Sequence, residues 1–137
     1  MHSLHALIVA ILAVASVSDL TAAKEPSPPS LVGKYACTGE NTLGDPYKAD
    51  LQVDAKIDGF ALTWTERGAV TARGIGFRHG GQLAVGYLGL APDGATIVLY
   101  GVIVYDLPTA DRLVGHWTAH DGRIGTETCQ RQKGIVA

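Results

Sequence analysis

The sequence predicts an all-β domain, an eight-stranded antiparallel up-and-down barrel (a meander) clasped by one disulfide. Three observations carry this expectation. After Leu31 the apolar residues recur with a period of two rather than 3.6. Tight-turn signals punctuate the chain at short intervals: Asp58-Gly59, Arg67-Gly68, His79-Gly80-Gly81, Pro92-Asp93-Gly94 and Asp121-Gly122. The composition, with charged residues at only 18% and 17 glycines, suits curved strands better than helices.

The elements follow in order. Val32 to Thr38 forms the first strand. The second, Tyr47 to Ile57, reads "YKADLQVDAKI": Tyr47, Ala49, Leu51, Val53, Ala55 and Ile57 alternate with charged or amide side chains. Such a strand buries one face and wets the other. Asp58-Gly59 is a two-residue hairpin signal because both central positions favour positive φ. It leads into Phe60 to Glu66 and pairs Ile57 with Phe60, Ala55 with Leu62, and Val53 with Trp64. All six apolar side chains then share a face. Ala69 to Phe77, Gln82 to Leu90, Ala95 to Asp106, Leu113 to Ala119 and Arg123 to Gln130 complete the set. The longest link after the fifth strand is the "LPTAD" loop.

Short connections place consecutive strands side by side, and a meander removes its exposed edges by closing. A β-sandwich is the alternative. Gly74, Gly76, Gly86, Gly101 and Gly115 lie inside strands, where glycine marks bends, and this favours the barrel. Cys37 on the first strand and Cys129 on the last also favour closure, because a disulfide needs Cα atoms within ~7 Å.

The N-terminal segment 1–23 reads as a signal peptide. Ala6 to Val17 is an almost purely apolar run of ~12 residues, short of the ~20 that span a bilayer, and small residues follow it. An uncleaved membrane anchor is the rival reading. Residues 24–31 form a Pro/Ser linker, 32–131 the barrel domain and 132–137 a tail. Export makes the cysteine pair a disulfide rather than two thiols, closing a loop of ~90 residues worth ~4–5 kcal/mol in the chain-entropy model. The expected location is the periplasm or the exterior of the cell, with no stable membrane span after cleavage.

Function is less constrained. A net charge of -2 supplies no basic surface for nucleic acid. The stretch Leu113 to Cys129, "LVGHWTAHDGRIGTETC", concentrates metal-site and catalytic residue types. On a strand, however, His116 and His120 stand ~13 Å apart and do not share an ion. A two-residue turn at Asp121-Gly122 sets His116 opposite Glu127 as an ordinary cross-strand pair, with Trp117 and Ile124 in the core. That register turns Cys129 away from Trp117, so it places the disulfide outside the barrel unless a bulge intervenes. No serine falls within the barrel domain, and no phosphate-binding loop precedes a helix. The sequence therefore offers no catalytic residue, metal ligand or cofactor site.

Two groups of residues remain as binding candidates. Tyr47, Trp64, Tyr87 and Trp117 face inward and either fill the core or line a ligand pocket. The strand Ala95 to Tyr105, "ATIVLYGVIVY", is apolar on both faces. Val98, Tyr100, Val102 and Val104 form a partner surface, for a homodimer or another protein, unless a neighbouring segment covers them.

The frame "GKYACTGEN…DPYKADLQV…FALTWTERG…GIGF…QLAVGY…VLYGV…LVGHWT…DGRIGTE" resembles a group of small exported bacterial barrel domains. Their pattern opens with G-x-Y-x-x-x-G-x-N and closes with G-x-W-T…G-x-x-G-T-E, and members are often labelled fibronectin-binding-like. The resemblance runs from about Val32 to Glu127. It implies the barrel and the exported setting, and it carries over no catalytic residue. The Cys37/Cys129 pair is a departure from the pattern. A looser similarity is to avidin- and lipocalin-type barrels. The expectation is an exported, non-enzymatic binding module for a protein or a small apolar ligand. The alternatives are a periplasmic protease inhibitor, a small-ligand carrier of lipocalin or avidin type, and an enzyme using the His116/Glu127 hairpin.

Overall fold

The computed structural model describes residues 29–134. The segment read as a signal peptide, most of the linker and the last three residues lie outside the described residues. Eight strands form a closed antiparallel barrel in meander order. They are β1 (Gly33–Glu40), β2 (Pro46–Lys56), β3 (Gly59–Glu66), β4 (Ala69–His79), β5 (Gln82–Leu90), β6 (Ile97–Thr109), β7 (Arg112–Ala119) and β8 (Ile124–Arg131). β1 pairs with β8 and closes the ring, with Cys37 directly opposite Cys129. The two are disulfide-bonded with Cα atoms 4.0 Å apart.

Alternation decides what lies inside. Leu51, Val53, Leu62, Trp64, Leu83, Val85, Ile103, Tyr105 and Leu113 point inward and form one core. One end of the barrel is plugged. Leu31 is buried there, and its carbonyl accepts a hydrogen bond from the Tyr35 hydroxyl at 2.7 Å. Arg131 stacks over the Tyr35 ring at 5.0 Å, and its guanidinium donates to the carbonyls of Ser30, Val32 and Ala110.

Several hairpins differ from expectation. β6 runs on through Leu107 and Pro108 to Thr109, which pairs with Arg112, so most of the expected LPTAD loop is strand. The β2–β3 turn is Ile57-Asp58, not Asp58-Gly59, and the pairs are Ala55 with Phe60, Val53 with Leu62, and Leu51 with Trp64. This slip is by two residues, so the faces survive, except that Ile57 stands fully exposed at the tip rather than against Phe60. Gly59 serves the barrel wall instead of the turn: a Cβ there would run into the Gly76 carbonyl on β4.

The β7–β8 correction has larger consequences. The connection is a three-residue loop, His120-Asp121-Gly122. Ala119 N–H donates to the Arg123 carbonyl, and Gly122 takes φ 88°. A type I turn followed by a left-handed glycine builds this loop as readily as a two-residue turn. The extra residue shifts the register by one, and a shift of one exchanges the faces of the whole strand. His116 therefore pairs with Thr126 on the outside, and Glu127 pairs with Gly115 on the inside. The expected His116–Glu127 pair does not form. Ile124, expected in the core, is exposed, and the disulfide lies inside the barrel, with both cysteines buried.

Candidate functional site

The inward aromatic rings of the other half of the barrel lie over glycines. Tyr47 covers Gly39, Tyr87 approaches Gly101, Tyr105 covers Gly115 and Trp117 covers Gly125, each pair directly opposite across two strands. A Cβ on Gly115 would stand 2.7 Å from the Tyr105 ring. These glycines let bulky rings lie flat along the wall instead of crossing the lumen. Room is left between them.

That room is a cavity of about 340 Å³ that reaches the barrel end at Asn41 and Arg123. Tyr47, Trp64, Tyr87 and Trp117, the four aromatic residues singled out from the sequence, all stand in its wall. Trp64 and Tyr87 meet edge to face, with centroids 6.4 Å apart. Ala49, Ala72, Leu99 and Ile103 supply aliphatic wall, while Glu66 and Thr71 lie at the β3–β4 side. Thr71 is the extra residue where the β3–β4 register shifts between Trp64 and Thr65.

Glu127 sits in the wall of this cavity and is only 4% exposed, the one buried charged side chain among the described residues. Its Oε1 accepts hydrogen bonds from Trp64 Nε1 at 3.0 Å and from the Tyr105 hydroxyl at 2.9 Å. Its Oε2 accepts one from the Tyr47 hydroxyl at 2.9 Å. Four strands thus converge on one carboxylate. Burial pushes its pKa up, and the three donors oppose that shift. Burial and the neighbouring carboxylate likewise push the Tyr47 and Tyr105 hydroxyls well above the usual phenol range, so both are neutral donors. The Trp117 indole N–H is buried with no hydrogen-bond partner.

The Cys129 sulfur lies 3.1 Å from Glu127 Oε1 and carries no proton in the disulfide. Cys37, Glu127 and Cys129 offer donor atoms within 4.8 Å of one another, but the sulfurs bond to each other and do not present thiolates to an ion.

The β6 residues Val98, Tyr100, Val102 and Val104 are exposed on the outside of the wall. Ile75 and Phe77 of β4 and Leu88 of β5 extend the same apolar face. Tyr100 also stacks on His120 at a centroid distance of 4.2 Å.

Glu127 is the functional candidate that the sequence reading named as the partner of His116 but placed on the wrong face. A signal was present: Cys129 and Glu127 are two residues apart on one strand, so the face that takes the disulfide also takes the carboxylate.

The fold and cavity define the class, a closed eight-stranded meander barrel with a pocket at one end. Among solved structures of similar fold are several designed proteins. A redesigned β-barrel, b11L5F_LGL, has a TM-score of 0.63 at 16% identity, covering 75% of this chain and 92% of that one. The redesigned barrel mFAP1, bound to DFHBI, has a TM-score of 0.60 at 14% identity, covering 74% and 94%. The redesigned barrel mFAP0, also bound to DFHBI, has a TM-score of 0.60 at 15% identity, covering 74% and 98%. No protein-family model matches the chain, and no curated protein sequence is similar to it.

Proposed function

We propose that this protein is a non-enzymatic binding module that takes a small, largely apolar ligand into the open end of its barrel, in the periplasm or outside the cell. The carrying observation is the aromatic-walled cavity of about 340 Å³ with one buried carboxylate. Its size falls at the lower end of ordinary ligand sites, and its make-up is typical of them: apolar walls with a few convergent polar groups. Two of the similar designed barrels hold a small ligand, which supports the reading by analogy of fold alone. The disulfide suits an oxidising compartment, and the likeness to exported bacterial barrel domains points the same way.

The neutral apolar fluorophore N-phenyl-1-naphthylamine tests this directly. Saturable one-to-one binding is expected. Ala72→Phe, which projects a ring into the cavity beside Trp64, should weaken it at least about tenfold with the far-UV circular dichroism unchanged. Full binding by the blocked variant sinks the reading, as does saturable binding by neither this probe nor any smaller phenylalkyl probe.

The exposed face of Ile75, Phe77, Leu88, Tyr100, Val102 and Val104 favours a second role, self-association through β6. Size-exclusion chromatography of the folded domain should then show a dimer that Val102→Lys dissociates. A monomer at all concentrations excludes it.

A further inference from the structure

We infer that the ligand is an organic cation, an amine or ammonium carried on a hydrophobic group, bound with its charge against Glu127. This rests on the ligand-binding reading and adds the chemical class.

The argument begins with an incomplete charge. Glu127 is buried, and Trp64, a donor only, with the hydroxyls of Tyr105 and Tyr47, addresses it as an acceptor, the role of an ionised carboxylate. Buried charges are ordinarily paired. Among the described residues there are two ion pairs, and neither includes Glu127. Arg123 is held by Asp121 at 2.7 Å at the rim, and Arg131 by Asp111 at 2.8 Å. Arg131 lies four residues along β8 toward the plugged end, ~13 Å away along the strand, and is occupied there by backbone carbonyls.

The missing countercharge has a place to stand. Oε2 takes a single hydrogen bond, from Tyr47, leaving acceptor capacity on a carboxylate that borders the cavity. The rings of Tyr47, Trp64, Tyr87 and Trp117 surround the same space, and aromatic faces attract cations. Glu66 adds a second carboxylate to the wall, so the potential favours positive charge from mouth to floor. An anionic ligand would face both carboxylates with only Arg123, already engaged by Asp121, to receive it. The volume accommodates one aromatic ring with a short aminoalkyl arm.

A matched series tests this: 2-phenylethylamine, 2-phenylethanol and 3-phenylpropionate, which carry positive, zero and negative charge at neutral pH. The chain has 2 tryptophans and both stand in the cavity wall, so intrinsic fluorescence reports occupancy. The amine should bind at least about tenfold more tightly than the alcohol, and the carboxylate more weakly than the alcohol. Glu127→Gln should cost the amine about tenfold or more and leave the alcohol within about twofold. If that variant does not fold, the wild-type series alone decides. An alcohol that matches or exceeds the amine, by satisfying the Trp117 N–H for example, overturns the cationic ligand. So does an amine that fails to bind where N-phenyl-1-naphthylamine binds, and in both cases the binding module stands. Binding by none of these four probes overturns both.

Discussion

The two ends of the barrel share one wall and differ in what fills it. At the plugged end, Leu31, Tyr35, Val53, Leu62, Leu83 and Leu113 are all fully buried in one core. At the other end, rings lie on Gly39, Gly101, Gly115 and Gly125, and the lumen stays empty around a carboxylate. Branched aliphatic side chains fill a small barrel, whereas flat rings on glycine line it. Stability should therefore concentrate at one end and binding at the other. The disulfide lies between them: along β8 the inward series runs Glu127, Cys129, Arg131 from the open end to the plugged one.

The largest effect should come from that boundary. The bond joins residues 92 apart in sequence, and the chain-entropy model values such a loop at about 4–5 kcal/mol. Replacing Cys37 and Cys129 together with alanine should lower the unfolding free energy by about that amount in urea titrations. A loss below about 1 kcal/mol would mean that the β1–β8 seam closes on its backbone ladder and packing alone.

Truncation on either side of the boundary tests the division itself. Leu113→Ala removes a fully buried side chain from the packed end and should cost about 3 kcal/mol, while affinity at the open end changes less than about twofold. Ile103→Ala removes a side chain that already borders empty space. Fewer contacts are lost there, so its cost should sit near 2 kcal/mol, the floor of the usual range, with a clear change in affinity. Equal costs, or equal effects on binding, would erase the distinction between the two ends.

The same contrast explains what could be read from the sequence. Period-two alternation and turn dipeptides were sufficient for eight strands, their order and the closing cysteine pair. The inward aromatics followed from parity along each strand, as with Trp64 two residues from Leu62. Turn length was not legible to the same degree. Asp121-Gly122 suits a two-residue turn, and His120-Asp121-Gly122 suits a three-residue turn ending in a left-handed glycine. Local chemistry does not choose between them. On β2–β3 the turn kept its length of two and sat one residue earlier, which moved the register by two and hid only the exposure of Ala55 and Ile57 at the tip. On β7–β8 the ambiguity moved the register by one and sent Glu127 to the wrong face. The in-strand Gly115 was read as a bend, although it is a ring cradle, as is Gly125. That role depends on the residue across the ladder, so it was hidden wherever the register was wrong.

The smallest effect expected is also the one that reads the carboxylate itself. Burial raises the Glu127 pKa above its ordinary value of 4.5. Below 4.5 the folded and unfolded chains both hold the proton, and the contribution of the protonated group to stability is fully present. As pH rises, the unfolded chain releases its proton first, and that contribution is lost through the folded pKa. Glu127→Gln does not titrate. Its amide oxygen can accept from Trp64 and Tyr105, and the Tyr47 hydroxyl can turn to accept from its NH₂. The variant should therefore gain stability relative to wild type as pH rises from about 4.5, in urea titrations at pH 4 and pH 8. A difference that stays flat with pH, or wild type gaining instead, would mean that Glu127 is well solvated or already paired in the free protein. Saturating 2-phenylethylamine should reverse the order at pH 8, because a bound cation stabilises the ionised carboxylate and binds the folded chain alone. The open end would then be the part of the barrel whose stability depends on what it holds.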